Sequence, residues 1–238
     1  MSTGKGRGPG ATQPRWAHIG MIGLVPERSR EATTCVTLRT TNTQAIPMPG
    51  FDHFGLLAPH YDRLIRPPDV TRLADLAGLP TPGRLLDVGG GTGRIAQALG
   101  GQAGRIIVVD ESWKMLSRTR DKPGLRPAAA HAERLPFPSD AFDRVVMVDA
   151  FHHLADQEQC LTELLRVCAP AGRVVVEEPD IARPGVWAIA AFERLALMRS
   201  RFRRGETIAR LLEQLGAKTS VHHQDATVWT VAQKATSS

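Results

Sequence analysis

Two groups of residues have the types and spacing for chemistry. In Leu85-Leu86-Asp87-Val88-Gly89-Gly90-Gly91-Thr92-Gly93-Arg94 an apolar run enters clustered glycines and then a helical pattern. Glycine permits dihedrals and close approaches that a Cβ blocks, and free N–H groups at the start of the following helix attract a carboxylate or phosphate. An anion-bearing ligand is expected at this turn. Counted from Gly89 the spacing is G-x-G-x-G, and Arg94 stands where a dinucleotide fingerprint needs its third glycine. Asp110 ends the next apolar run, 21 residues beyond Gly89, where a carboxylate can accept from vicinal ribose hydroxyls. The plainer alternative is a cap for the helix starting near Ser112. The second group is His152-His153, after a further apolar run. Imidazole is the natural general base near neutral pH, and the carboxyl edge of an open α/β sheet is where ligands bind. For His152 the alternative is capping or packing against the helix that follows.

The elements that must position these residues follow from periodicity. Apolar runs too short for helices, at 85–88, 106–109, 145–148 and 174–176, alternate with helical patterns at 92–99, 112–118 and 156–168. That alternation is the signature of a doubly wound α/β sheet. Strands at 219–223 and 228–233, joined by a short turn at 224–226, close it as an antiparallel hairpin. Upstream, Phe54, Leu57, Tyr61, Leu64 and Ile65 recur at helical spacing until Pro67-Pro68 stops them, and a second helix runs from 69 to 76, ending near Gly78. A helix over 185–203, with Trp187, Ile189, Phe192, Leu195 and Met198, falls between the fifth and sixth strands.

Composition bounds the rest. The 238 residues suit one domain with a terminal extension, and 42% hydrophobic with 23% charged residues is ordinary for a globular protein. The net charge of +6 sits mostly at the start, where Lys5, Arg7, Arg15, Arg28, Arg30 and Arg39 face only Glu27 and Glu31. Residues 1–47 show no sustained period and are expected to be a disordered extension, with 48–238 as the folded domain. Arg199, Arg201, Arg203 and Arg204 form the one basic cluster beyond it, read as a solvated helix end or a patch for an anionic partner. Cys35, Cys160 and Cys168 show neither disulfide nor zinc spacing, which fits a reducing cytoplasm. The apolar stretch 19–25 is too short to span a bilayer, and a transit peptide is the alternative reading of the basic start. His222-His223 are adjacent on a strand and point to opposite faces, so no metal site is expected. Glu177-Glu178-Pro179-Asp180 is read as touching substrate or as a solvated acidic turn.

Leu85 to Gly93 resembles the first motif of class I S-adenosylmethionine-dependent methyltransferases. Ala132-Glu133-Arg134-Leu135-Pro136-Phe137, Phe142-Asp143, Phe151-His152-His153-Leu154, and Leu165-Arg166-Val167 through Ala171-Gly172-Arg173 resemble that family's later segments, in order. The likeness covers about residues 51–234 and is nearest to the ubiquinone and menaquinone biosynthesis branch. It implies a Rossmann-like seven-stranded sheet, mostly parallel with a C-terminal antiparallel hairpin, and S-adenosylmethionine as cofactor. Gly89, Gly90, Gly91 and Gly93 would bind its methionine end, with Asp87 beneath them near the ammonium. Asp110 would hold the ribose, Glu111, Ser112 and Trp113 would lie near the adenine, Ala132 and Glu133 would border it, and the backbone after Val148 would face the methionine portion. Where the family often has Gly-Asp before Ala-Glu, this sequence has Ala130-His131, and a neutral His131 offers the adenine one acceptor. The helix at 185–203 would form part of a lid around 185–204, and Phe54, Tyr61 and Trp187 would wall an apolar substrate pocket.

The expected function is methyl transfer to a small apolar or aromatic acceptor, at carbon or oxygen, with His152 and His153 as candidate catalytic residues. No stable nucleic-acid partner and no transmembrane segment are expected. An RNA or protein methyltransferase is the alternative, although Val148-Asp149-Ala150-Phe151 stands where an Asn/Asp-Pro-Pro-Tyr motif would occur. A catalytically silent cofactor-binding protein is a third reading.

Overall fold

A computed structural model describes residues 69–182 and 201–236. The chain enters through helix α1 (Val70–Ala77), whose N-terminus is capped by the Asp69 side chain accepting from the Arg72 N–H, and which stops at Gly78 in the left-handed region. There follow β1 (Thr81–Val88), α2 (Arg94–Ala98), β2 (Ala103–Asp110), α3 (Trp113–Thr119), β3 (Leu125–Ala129) and β4 (Phe142–Val148). A single turn of 3₁₀ helix at Phe151–His153 leads to α4 (Gln157–Val167) and β5 (Cys168–Pro179). After residues 201–204 come α5 (Gly205–Gln214), β6 (Lys218–Gln224) and β7 (Thr227–Gln233).

The strands form one sheet in the order β3-β2-β1-β4-β5-β7-β6. β1 to β5 are parallel, while β7 runs antiparallel to both β5 and β6. The chain moves outward from β1 to β3, then returns to lay β4 on the other side of β1. That reversal opens a crevice above the carboxyl ends of β1 and β4, the place where open α/β sheets bind ligands. Alternate residues of the central strands feed two cores. Leu86, Val88, Ile107, Val109, Val145 and Met147 pack under Leu161 and Leu164 of α4. Leu85, Ile106, Val108, Val146 and Val175 pack under Leu73 of α1 and Ile95 of α2. Burial on both faces explains why these strands read as unbroken apolar runs.

Three elements differ from the sequence expectations. β3 was not assigned, because Leu125-Arg126-Pro127-Ala128-Ala129 carries a proline and little apolar character; at the edge of the sheet the missing N–H of Pro127 is tolerated. The helix α5 was also missed, although Ile208, Ala209 and Leu212 bury at helical spacing. Residues 201–203, expected as the end of a long helix, are not helical, and Arg204 is extended at φ −69°, ψ 148°. The extension 1–47, the helix bearing Phe54 and Tyr61, and residues 185–200 with Trp187 lie outside the described residues.

The start of α5 is pressed onto the hairpin. A Cβ on Gly205 would sit 2.5 Å from Val228 Cγ2 and 2.9 Å from Val221 Cγ1. Valine is stiff at χ1, so neither methyl retreats easily. Gly205→Ala gains up to about 1 kcal/mol of helix propensity but incurs about 1–3 kcal/mol of overpacking. The expected outcome is a lower urea midpoint at unchanged m-value; a midpoint at or above that of the parent would show that the hairpin yields.

Candidate active site

The glycine turn leaves β1 with Gly89, Gly91 and Gly93 at φ +70°, +55° and +74°, a region that only glycine enters without strain. Gly90 has a different reason to lack a side chain: a Cβ there would lie 2.6 Å from Asp87 Oδ2 and 2.7 Å from Val108 Cγ1. Asp87 is 1% exposed, and neither of its oxygens has a hydrogen-bond partner. Burial pushes its carboxyl up to about 7, the Ala96 N–H and Arg94 offset this in part, and Asp110 adds to it. A desolvated carboxylate with no well-formed hydrogen bond, beneath a glycine-rich turn, fits a cationic ligand group.

Asp110 is held in place by two amides. Its Oδ2 accepts from Gly91 N–H at 2.9 Å and its Oδ1 from Ser112 N–H at 2.8 Å, so it anchors the turn and shapes the start of α3 at once. The Ser112 hydroxyl in turn accepts from Met115 N–H, capping α3. From the far end of α3 the buried Thr119 donates to the Gly91 carbonyl at 3.2 Å. The cap of α3 is thus Ser112, while Asp110 ties the glycine turn to the residue that starts the helix.

Glu111 and His131 pair with each other, Oε2 to Nδ1 at 3.0 Å, at 68% and 72% exposure. The Nδ1 of His131 thus faces a carboxylate, and Nε2 is the ring nitrogen that an adenine would meet. Trp113 is half exposed, with the Arg120 guanidinium 4.9 Å from its ring centroid. Ala132 is buried, and Glu133 accepts from Asp156 N–H at 3.4 Å. The loop containing them is fastened by groups that sequence reasoning missed. Glu163 accepts from Leu135 N–H, and Arg166 donates to the carbonyls of Leu135 and Phe137 while pairing with Glu163 at 2.6 Å.

At the ends of β4 and β5 the carboxylates are partnered. Val148 is buried, and Asp149 follows at φ +50°, donating its N–H to the Glu177 carbonyl. Glu177 accepts from the Trp229 indole at 2.7 Å, and burial raises it to about 7 despite that bond. Glu178 holds His152, Oε2 to Nδ1 at 2.7 Å, and its other oxygen accepts from Phe151 N–H at 3.0 Å. Asp180 takes His223 at 2.8 Å, and the other ring nitrogen of His223 reaches Glu206 at 3.1 Å. Glu177, Glu178 and Asp180 are all buried, so the reading of this stretch as a solvated acidic turn is overturned; it is the inner end of β5.

His152 is buried and stacks on Phe202 at 4.3 Å with ring planes 13° apart. His153 lies 3.9 Å from it, and burial, with His152 nearby, lowers its pKa to about 3, so it is neutral at physiological pH. The segment returning to α5 is stapled alongside. Arg201 N–H donates to the His152 carbonyl at 2.7 Å, and Arg203 reaches Gln157 and Glu158. Arg203 of the basic cluster is therefore engaged within the molecule. Phe54, Tyr61 and Trp187 lie outside the described residues.

Residues 86–176 match a family described as a methyltransferase domain. Over 139 residues the chain is 39% identical to the demethylmenaquinone methyltransferase of Thermus thermophilus, an alignment covering 52% of this chain and 63% of that one. Over 114 residues it is 33% identical to the ubiquinone/menaquinone biosynthesis C-methyltransferase UbiE of Pseudomonas fluorescens, covering 44% of each. The chain therefore spans less than two thirds of the length of these relatives. In fold it is similar to a SAM-dependent methyltransferase from Thermotoga maritima, with a TM-score of 0.62 at 24% identity, over 76% of this chain and 98% of that one. The strand order, the glycine turn and the sequence match agree: residues 86–176 form a methyltransferase domain of the class I S-adenosylmethionine-dependent type, in a chain that resembles the quinone-biosynthesis methyltransferases.

Proposed function

We propose that the protein transfers a methyl group to a small, largely apolar acceptor of the quinol or aromatic type, at carbon or oxygen. The observation that carries this reading is Asp87, a buried carboxylate with no well-formed hydrogen bond beneath the glycine turn of a methyltransferase domain. The acceptor class is supported by the names of the relatives. In this reading the catalytic domain is 48–238, in the cytoplasm, with Phe54, Tyr61 and Trp187 walling the acceptor pocket and no nucleic-acid partner.

S-adenosylmethionine, when bound, supplies an electrophilic methyl group on a sulfonium. The residues of the chain bind, orient and exclude water. Asp87 would face the ammonium of the amino-acid portion, the backbone of Gly89 to Gly93 would face its carboxylate, and Asp110 would accept from the ribose. Glu111, Ser112, His131, Ala132 and Glu133 would border the adenine, and Val148 would line the floor. His152 would take the proton that the acceptor must lose, with His153 neutral beside it. Alignment of two reactants in a dry site supplies much of the rate.

Three outcomes are expected. Calorimetric titration should give micromolar binding of S-adenosylmethionine and S-adenosylhomocysteine, no binding of NAD, and loss of the first two in Asp110→Ala; binding of NAD alone, or of nothing, overturns the reading. Gly90→Ala should weaken S-adenosylmethionine at least tenfold, because the added carbon strikes Asp87. An unchanged dissociation constant would remove Asp87 from the site. The third outcome concerns pH. Asp87 is protonated below about 7, and a neutral carboxyl cannot pair with an ammonium, so affinity should rise as pH climbs through about 7. Each unit below that value costs about tenfold, or about 1.4 kcal/mol. A flat affinity across neutrality, after correction for the titration of the ligand itself, would contradict it.

A further inference from the structure

We infer that Glu178 is a positioning residue that fixes His152 in the tautomer whose Nε2 accepts a proton, an inference that rests on His152 serving as the base. The two oxygens of Glu178 face two different groups, the His152 ring at 2.7 Å and the Phe151 backbone N–H at 3.0 Å. Phe151 N–H can only donate, so the oxygen facing it must accept. Burial raises the Glu178 carboxyl, while the His152 ring and the Phe151 N–H oppose that shift. As an ionised carboxylate Glu178 accepts at its other oxygen too, so Nδ1 carries the proton, and in the neutral ring that leaves Nε2 as the acceptor. The ring cannot turn to escape this choice. Phe202 stacks on one side, His153 lies 3.9 Å away, and both His152 and Glu178 are buried.

The charged and titratable groups around the pair give the same direction. From β5 comes Glu178, from the end of β4 Asp149, and from the 3₁₀ turn His153, which is neutral at physiological pH. The described part of the returning segment brings the Arg201 backbone N–H and the Phe202 ring, while the Arg201 guanidinium reaches the Ala155 carbonyl. A positive charge forming on His152 is therefore met by the carboxylate of Glu178, with that of Asp149 behind it. In the reaction the acceptor's O–H or C–H bond breaks and its proton goes to Nε2. The electron pair left behind forms the bond to the methyl carbon, and the sulfur–methyl bond breaks with its pair staying on sulfur. One positive charge, carried at first by the sulfonium, ends as the imidazolium beside Glu178, and its proton then returns to solvent. The arrangement follows the orienting logic of a carboxylate behind a catalytic histidine.

Glutamine at position 178 cannot reproduce it. It has one carbonyl oxygen for two donors, so either the amide NH₂ faces Phe151 N–H or His152 must present a bare Nδ1 and move its proton to Nε2. The test is nitrogen-15 NMR of histidine-labelled protein, with His152 assigned by its absence in His152→Gln. The parent should show a protonated Nδ1 and an unprotonated Nε2 at neutral pH, and Glu178→Gln should reverse or mix the two. With a reduced naphthoquinone lacking the ring methyl as acceptor probe, Glu178→Gln should lower kcat about 10²-fold at unchanged S-adenosylmethionine affinity. His152→Gln and the double variant should fall equally, since residues acting as a unit are not additive. A parent His152 protonated on both nitrogens from acid to alkaline pH, or on Nε2 alone, overturns the inference without any variant. Equal turnover and an equal pH profile in Glu178→Gln overturn it too. A parent that fails to bind S-adenosylmethionine defeats the methyltransferase reading instead, while the tautomer measurement still decides the role of Glu178.

Discussion

A carboxylate taken out of water without a hydrogen bond is among the more expensive things a fold can contain, at several kcal/mol if it stays ionised. Asp87 is such a group, and the arrangement around it makes sense as preparation for a cation. The parallel sheet delivers Asp87 to the carboxyl end of β1, next to the reversal between β1 and β4. Gly90 leaves room above it, and Asp110 and Thr119 hold the turn from β2 and α3, so the space does not collapse onto the acid. In the absence of a cation the group settles its cost by keeping its proton, which is what a pKa near 7 means. Between the ordinary carboxyl value and 7 the folded state binds more protons than the unfolded one. Stability of the free protein therefore falls as pH rises through that window, and a bound cation offsets the loss.

The acids at the end of β5 meet the same desolvation with a different solution. Glu177 is tied to the Trp229 indole, Glu178 to the His152 ring and Asp180 to His223. Each of these partners sits on an element remote in sequence: the hairpin, the 3₁₀ turn or β6. The contrast with Asp87 separates the crevice into two regions. One side holds a carboxylate with no well-formed hydrogen bond, which suits binding a cation. The other holds carboxylates whose partners are built in, which suits orienting a side chain.

Legibility in the sequence followed the range of the interaction. The glycine turn, Asp87 and Asp110 could be read because strand, turn and helix are consecutive and each residue's constraint is local. The mostly parallel sheet with its closing hairpin was legible for the same reason, through apolar runs buried on both faces. β3 escaped notice because an edge strand can carry Pro127 and few apolar residues. Thr119, Glu163, Arg166 and Glu178 escaped because they act on backbone or side chains 26 to 31 residues away, and no spacing rule points from Arg166 to the carbonyl of Leu135 or from Glu178 to His152. The pairing of His131 with Glu111 is illegible for another reason: the two residues are 20 apart on the ends of neighbouring strands, and nothing in their types favours each other over a ligand.

That pairing shows how the site tolerates departures from the family pattern. Where an aspartate often stands, this chain has a histidine facing Glu111 across a mouth where both are more than two thirds exposed. An exposed pair of this kind contributes less than about 1 kcal/mol. It therefore cannot be what shapes this edge of the mouth. The shape comes from beneath, where Glu163 and Arg166 hold the backbone around Leu135 through hydrogen bonds that survive a change of the side chain at 131. A binding edge built from anchored backbone, with a replaceable side chain at its rim, keeps its form while the residue at the rim varies. The same division holds at the glycine turn, where Asp110 and Thr119 act on Gly91 backbone atoms. In both places the fold commits its buried hydrogen bonds to positioning main chain, and leaves few side chains with the task of meeting the ligand.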